Sequence, residues 1–209
     1  MALTTYTELL AEIADYVDRT DLTAVIPDFV LGAESMFNYG DRERDFNPIR
    51  HRLMETTQTS TPSSGDITLQ TDFLAMRRVT YAASLRKKLE YVSPEAIDEM
   101  YPSTTSSDPQ VYTIIGSTLT IRPVGSSDVE YVYLQKIPDL ATNSTNWLLS
   151  AVPTAYLFAS LFQLHVYDQN PEAATGFLQL ARSAVGGLNE SDKFSRAGSY
   201  AMRSAMPAW

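Results

Sequence analysis

The chain has 209 residues, 44% of them hydrophobic and 20% charged, enough for one ordinary domain or a domain carrying an insertion. Twenty-five acids against sixteen bases leave a net charge of −9, and a pI near 4.7 speaks against tight binding of nucleic-acid phosphates. The absence of cysteine excludes disulfides, thiolate metal centres and cysteine nucleophiles together.

No apolar run approaches the roughly 18 residues of a membrane span. The first residues lack the basic and apolar regions of a secretory signal, so the expectation is a soluble protein made in a cytoplasm. The charge is unevenly spread. Residues 1–40 carry seven acids and one base, a net of −6; residues 41–92 carry seven acids and nine bases, a net of +2. Residues 93–150 have a net of −5, and residues 151–209 balance.

The chain opens on a helix. Thr5 followed by Glu8 is a capping box, and Leu9, Leu10, Ile13, Tyr16 and Val17 recur at helical spacing. The outer face is acidic, with Glu8, Glu12, Asp15 and Asp18. Asp21 is an N-cap candidate, and a second helix, starting in earnest at Pro27, is predicted to run to about Tyr39 with Gly40 as its stop. Short strands are predicted from residues 51, 66, 78 and 88, and Ser93 with Pro94 starts a short helix. Val111–Ile115 and Thr118–Arg122 flank Gly116-Ser117, a hairpin signature, and a third strand begins at Glu130. After Pro153 the sequence is apolar nearly all round, as in a buried helix. Asn170 and Pro171 then start the last long helix. Residues 191–209 lose periodicity.

The expected fold class is α+β. Residues 1–50 and 147–190 pack as a helical bundle, residues 51–146 form a β-rich insertion built as a small sheet or sandwich, and residues 191–209 form an extended C-terminal tail. Trp147, beside Leu148 and Leu149, is expected to be buried where the β region rejoins the helices.

Catalytic signals are weak. His51 and His165 are the only histidines, and a lone histidine in an Arg-rich stretch or an apolar helix is usually structural. There is no nucleophile elbow, no phosphate-cradling glycine loop and no histidine pair at metal-ligating spacing. Paired carboxylates could serve a glycan hydrolase, but acids such as Asp98 and Glu99 read as solvated helix exteriors. No catalytic residue, cofactor or metal is expected.

Two charge clusters and the tail stand out. Arg42, Arg44, Arg50 and Arg52 are interleaved with Asp41, Glu43 and Asp45, a pattern of local or intersubunit ion pairs. Arg77, Arg78, Arg86, Lys87 and Lys88 have no such acids beside them and read as solvated surface or as contact with an acidic neighbour. In the tail, Phe194, Tyr200, Met206 and Trp209 are aromatic and Met anchors, and Arg196 and Arg203 make the segment basic. These residue types are enriched at interfaces; the same tail could instead fold back on its own bundle.

An ordered set of segments carries a resemblance over about residues 5–190. It comprises Arg19 with Asp21 and Leu22; Ile26-Pro27-Asp28-Phe29-Val30; Ala33-Glu34; Arg42 and Arg44; Leu69, Asp72 and Phe73; and Leu89 through Pro94. It continues through Tyr112, Ile114, Gly116, Leu119, Ile121 and Pro123, then Asn146-Trp147-Leu148-Leu149, Pro153, Tyr156 through Leu161, and Tyr167-Asp168. This set resembles the head-to-tail adaptor proteins of tailed bacteriophages. The resemblance implies a non-enzymatic virion protein at the capsid–tail junction, assembled in the host cytoplasm. It implies a homo-oligomeric ring, usually of twelve copies, docked beneath the portal and extending the DNA ejection channel. The expected partners are the portal protein, the tail nozzle or fibre proteins and further copies of the chain, with DNA passing through unbound. By position, Phe194, Arg196, Tyr200, Arg203, Met206 and Trp209 are the portal contacts. An acidic liner would let phosphates slide past, and alternating charges such as Arg42 through Arg52 suit a ring's repeated heterologous contact. The alternatives are another neck or tail-completion protein and the carboxylate-based glycan hydrolase.

Overall fold

In the computed structural model, residues 3–18, 20–83, 85–103 and 106–204 are described, residues 197–204 as backbone only. The chain begins with helices α1 (Tyr6–Val17) and α2 (Ile26–Tyr39). Strands β1 (Glu55–Ser60), β2 (Asp66–Thr68), β3 (Phe73–Ala82), β4 (Arg86–Lys88) and β5 (Glu90–Tyr91) follow, then helix α3 (Pro94–Met100). Strands β6 (Val111–Ile115), β7 (Thr118–Arg122) and β8 (Val129–Gln135) precede helices α4 (Leu140–Asn143), α5 (Trp147–Ala151), α6 (Pro153–Tyr167) and α7 (Pro171–Ser204). The mixed helix-and-sheet class agrees with the α+β expectation. Two compact units result: residues 1–53 with 137–209, and residues 54–136.

The first unit is helical, and its start signals are chemical. Glu8 N–H donates to Thr5 Oγ1 at 3.3 Å and Thr5 N–H donates to Glu8 Oε2 at 3.0 Å, closing the capping box. α2 has Pro27 in its first turn and ends at Gly40, whose φ of +76° favours glycine; an added Cβ would lie 2.8 Å from the Phe46 carbonyl oxygen. α6 is buried on most sides, through Tyr156, Leu157, Leu161, Phe162 and Leu164 among others, because α1, α2, α5 and α7 all pack on it. Asn170 caps α7 by accepting the Ala173 N–H at 3.2 Å.

Two polar residues of α2 organise the return of the chain to this unit. Ile137 N–H donates to Asn38 Oδ1 at 2.9 Å, and Leu140 N–H donates to Glu34 Oε1 at 2.8 Å. The span 137–146, grouped by sequence with the β insertion, therefore belongs with the helices. Trp147 is only partly buried and stacks on His51, with ring centroids 5.3 Å apart and planes at 20°.

The second unit holds two four-stranded sheets, ordered β1-β8-β3-β4 and β2-β7-β6-β5. Val129, Tyr131 and Tyr133 of β8 alternate inward and share one core with Ile67, Leu119 and Ile121 of the other sheet. β6 and β7 form the predicted hairpin, with Gly116 at φ +60°. The chain passes from one sheet to the other at Leu89, which is buried and donates its N–H to the Val79 carbonyl at 3.0 Å.

Residues 191–204, expected as an extended tail, instead continue α7, a helix of 34 residues. The apolar period ends near Leu188 because the inward face changes chemistry: Asn189, Asp192 and Ser195 take over with polar partners. Gly186 and Gly187 do not stop the helix, and a Cβ at either would meet nothing within 4 Å.

Candidate interaction surface

The stretch of α7 from Asn189 to Arg196 is the candidate surface, and it is built on a polar seam. Residues 47–51 have no regular structure, so their main chain needs partners. Side chains three apart on α7 hold this segment and the Arg52 that follows it. Asn189 accepts the Arg50 N–H at 3.0 Å and donates to the Pro48 carbonyl at 3.3 Å. Asp192 accepts the Arg52 N–H at 3.3 Å. Ser195 accepts from the Arg52 guanidinium at 3.2 Å. This spacing keeps all three on one helix face.

Asp192 is the centre of the seam. It is 4% exposed, and Arg196 Nε lies 2.7 Å from its carboxylate, with Arg52 Nε at 4.0 Å and His51 Nε2 at 3.7 Å. Three basic groups around one carboxylate offset the cost of burying it. Burial pushes the His51 pKa below its ordinary 6.5; the Asp192 charge pulls it up, and Arg52 and Arg196 push it down again. Leu53 N–H donates to His51 Nδ1 at 3.2 Å, which assigns the ring proton to Nε2, facing Asp192.

Beside the seam lies a groove of about 660 Å3, lined by Phe46, Pro48, Arg50, Arg182, Asn189 and Lys193 among others. Beyond it Phe194 is 76% exposed. Lys193 pairs with Glu190 at 2.5 Å. The face of α7 opposite the seam thus presents an aromatic ring between charges.

The SU10 adaptor protein family matches residues 4–204. The chain belongs to that family. It is therefore a phage structural adaptor protein, a class of virion component and not a class of enzyme. No curated protein matches the chain. No described helix of this adaptor is long and apolar enough to cross a membrane, and no group of three or more His, Asp or Glu among its described residues could hold a metal ion.

The adaptor's sequence-predicted contact residues fall in different settings. Arg44 pairs with Asp41 at 2.6 Å, lies 5.5 Å from the centroid of the Phe162 ring and accepts at its carbonyl from Arg182. Arg50 donates to the carbonyls of Asn38 at 3.1 Å and Ile49 at 2.7 Å. Arg52 joins the seam, and Arg42 is exposed. Phe194 and Arg196 are placed as described above. The side chains of Tyr200 and Arg203, and all of Met206 and Trp209, lie outside the described residues.

Asn189, Asp192 and Ser195 went unnoticed in the sequence. Their spacing of three was the available signal, hidden because a search for apolar periodicity passes over a polar face.

Proposed function

We propose that this adaptor assembles as a ring, of twelve copies, that docks beneath the portal, joins the capsid to the tail and extends the DNA ejection channel. The family match across residues 4–204 carries this reading. We assign the portal contact to the C-terminal segment from residue 191 on, through Phe194, Arg196, Tyr200, Arg203, Met206 and Trp209. Phe194 supports it, since an aromatic ring 76% exposed next to Lys193 costs solvation that a partner would recover. The tail nozzle or fibre proteins would meet the other end of the ring. Lateral contacts would use the arginine cluster: Arg42 is free to reach a neighbouring copy, while Arg44, Arg50 and Arg52 shape the surface from within. A net charge of −9 suits a conduit that DNA traverses without sticking.

The test is electron microscopy and mass measurement of the purified chain, alone and mixed with the portal of the same phage. A twelve-fold ring on the portal is expected. A chain that stays monomeric and ignores the portal would overturn the reading in favour of another neck component.

A further inference from the structure

We infer that the β3–β4 hairpin of one copy docks on the acidic face of α1 of a second copy, an alternation that would build the lateral contact. The inference rests on the ring reading and adds a second pair of lateral faces to the one proposed for the arginine cluster.

The hairpin carries more positive charge than its own sheet can use. β4 is an edge strand, paired only with β3, and Arg86, Lys87 and Lys88 are all exposed. Antiparallel register sets Arg86 opposite Ala82 and Lys88 opposite Thr80, so both share the outward face with Arg78. Arg78 and Arg86 both pair with the same carboxylate, Glu130. Lys87 and Lys88 pair with no described residue. Three cations of this face, Arg78, Arg86 and Lys88, thus share one acid, while Lys87, opposite Tyr81, lies on the other face of the strand. Leu85, 83% exposed, projects at the turn beside them.

α1 has the reverse imbalance. Glu12 and Asp15 lie on its outer face three apart, and neither has an ion-pair or hydrogen-bond partner among the described residues. The helix has no base in its last turn, where the peptide dipoles leave partial negative charge and cations are favoured. Asp15 adds to that negative end instead of opposing it. Tyr16, 57% exposed, stands beside Asp15 as Leu85 stands beside Arg86.

Spacing also fits. Groups three apart on a helix, such as Glu12 and Asp15, stand about 5–6 Å apart, and alternate residues of a strand stand about 6.8 Å apart. Arg86 and Lys88 can therefore face a row of α1 carboxylates in register. A heterologous contact of this kind leaves each copy with one unused face of each sign, which a further copy satisfies until the ring closes.

The experiment uses two full-length variants, Glu12→Lys/Asp15→Lys and Arg86→Glu/Lys88→Glu, each incubated with the portal and scored by electron microscopy and sedimentation. Each alone should assemble about tenfold less well or worse, because like charges then meet at every junction. An equimolar mixture should recover assembly, since each reversed face meets its reversed complement on the other variant. If wild type assembles and the single variants assemble equally well, the inference falls and the adaptor reading stands. If the variants fail and the mixture fails with them, the faces do not meet between copies and the inference falls. If wild type itself ignores the portal, both fall. Circular dichroism melts matching wild type show that the reversals act on assembly and not on folding.

Discussion

Asp192 and His51 face each other at 3.7 Å, across a gap wide enough that charge acts between them without a hydrogen bond. The carboxylate spends its hydrogen-bonding capacity elsewhere, on the Arg52 N–H at 3.3 Å and on Arg196 at 2.7 Å. Asp192 therefore fastens α7 to the segment ahead of β1 through a backbone N–H and a guanidinium at once.

Removing that carboxylate should cost stability out of proportion to its size. Asp192→Ala orphans a backbone N–H and leaves the Arg196 and Arg52 guanidiniums without their shared acid, a loss of about 2–3 kcal/mol. Asp192→Asn keeps an oxygen for the Arg52 N–H and should lose about half as much. Urea unfolding measures both. An alanine variant as stable as wild type would show that the seam contributes nothing.

His51 gives the protein a pH response. Burial holds its pKa below 6.5, and the Leu53 N–H at Nδ1 opposes a second ring proton further. The unfolded chain thus binds more protons than the folded one between the depressed value and 6.5, so this residue makes stability rise with pH through that window, fall on acidification through it, and stay level below it. His51→Gln should flatten this part of the stability–pH curve. Denaturant midpoints taken from pH 5 to 8 decide it; an unchanged slope would assign the titration elsewhere.

Much of the frame was readable from local chemistry. Thr5 with Glu8, Ser93 with Pro94, Asn170 with Pro171 and Gly116 mark their elements because caps and turns are satisfied by neighbours in sequence. What escaped notice depends on distant partners. Asn189 and Asp192 make sense only beside Arg50 and Arg52, about 140 residues away along the chain, and nothing local announces that a polar stripe faces inward. Glu34 is the same case, since its burial is explained by Leu140 and Tyr156 on later helices.

Glu34 should respond to substitution in two opposite ways. Burial raises its pKa, helped by the charge of Asp139, while hydrogen bonds from the Leu140 N–H and the Tyr156 hydroxyl pull it down. The folded state then holds a proton more tightly than the unfolded one, so this residue makes stability fall as pH rises through the raised pKa. Glu34→Gln keeps an acceptor for Leu140 and removes the buried charge; at pH 8 it should match or exceed wild type by about 1 kcal/mol. Glu34→Ala strands the Leu140 N–H and opens space near Tyr156, at a cost of about 2–3 kcal/mol at any pH. Thermal melts at pH 5 and 8 test the crossing; a glutamine variant destabilised at pH 8 would mean that the charge itself is required.

The seam also sets where the C-terminal segment can be cut. Its last described anchors are Ser195, bonded to Arg52 at 3.2 Å, and Arg196, held by Asp192 at 2.7 Å. Deleting residues 197–209 spares both and should leave the melting temperature unchanged while weakening portal binding, because four of the six proposed portal contacts go with the segment. Deleting residues 191–209 removes Asp192, Ser195 and Arg196 as well, and should lower stability by about the cost of the Asp192→Ala change or more. The shorter deletion thus isolates binding from folding, which the longer one cannot do. Calorimetry and portal pull-down on the two truncations, side by side, separate the roles. Full portal binding by the 197–209 deletion would move the contact to Phe194 and the groove beside it, and the double substitution Phe194→Ser with Lys193→Glu would then be the variant that loses it.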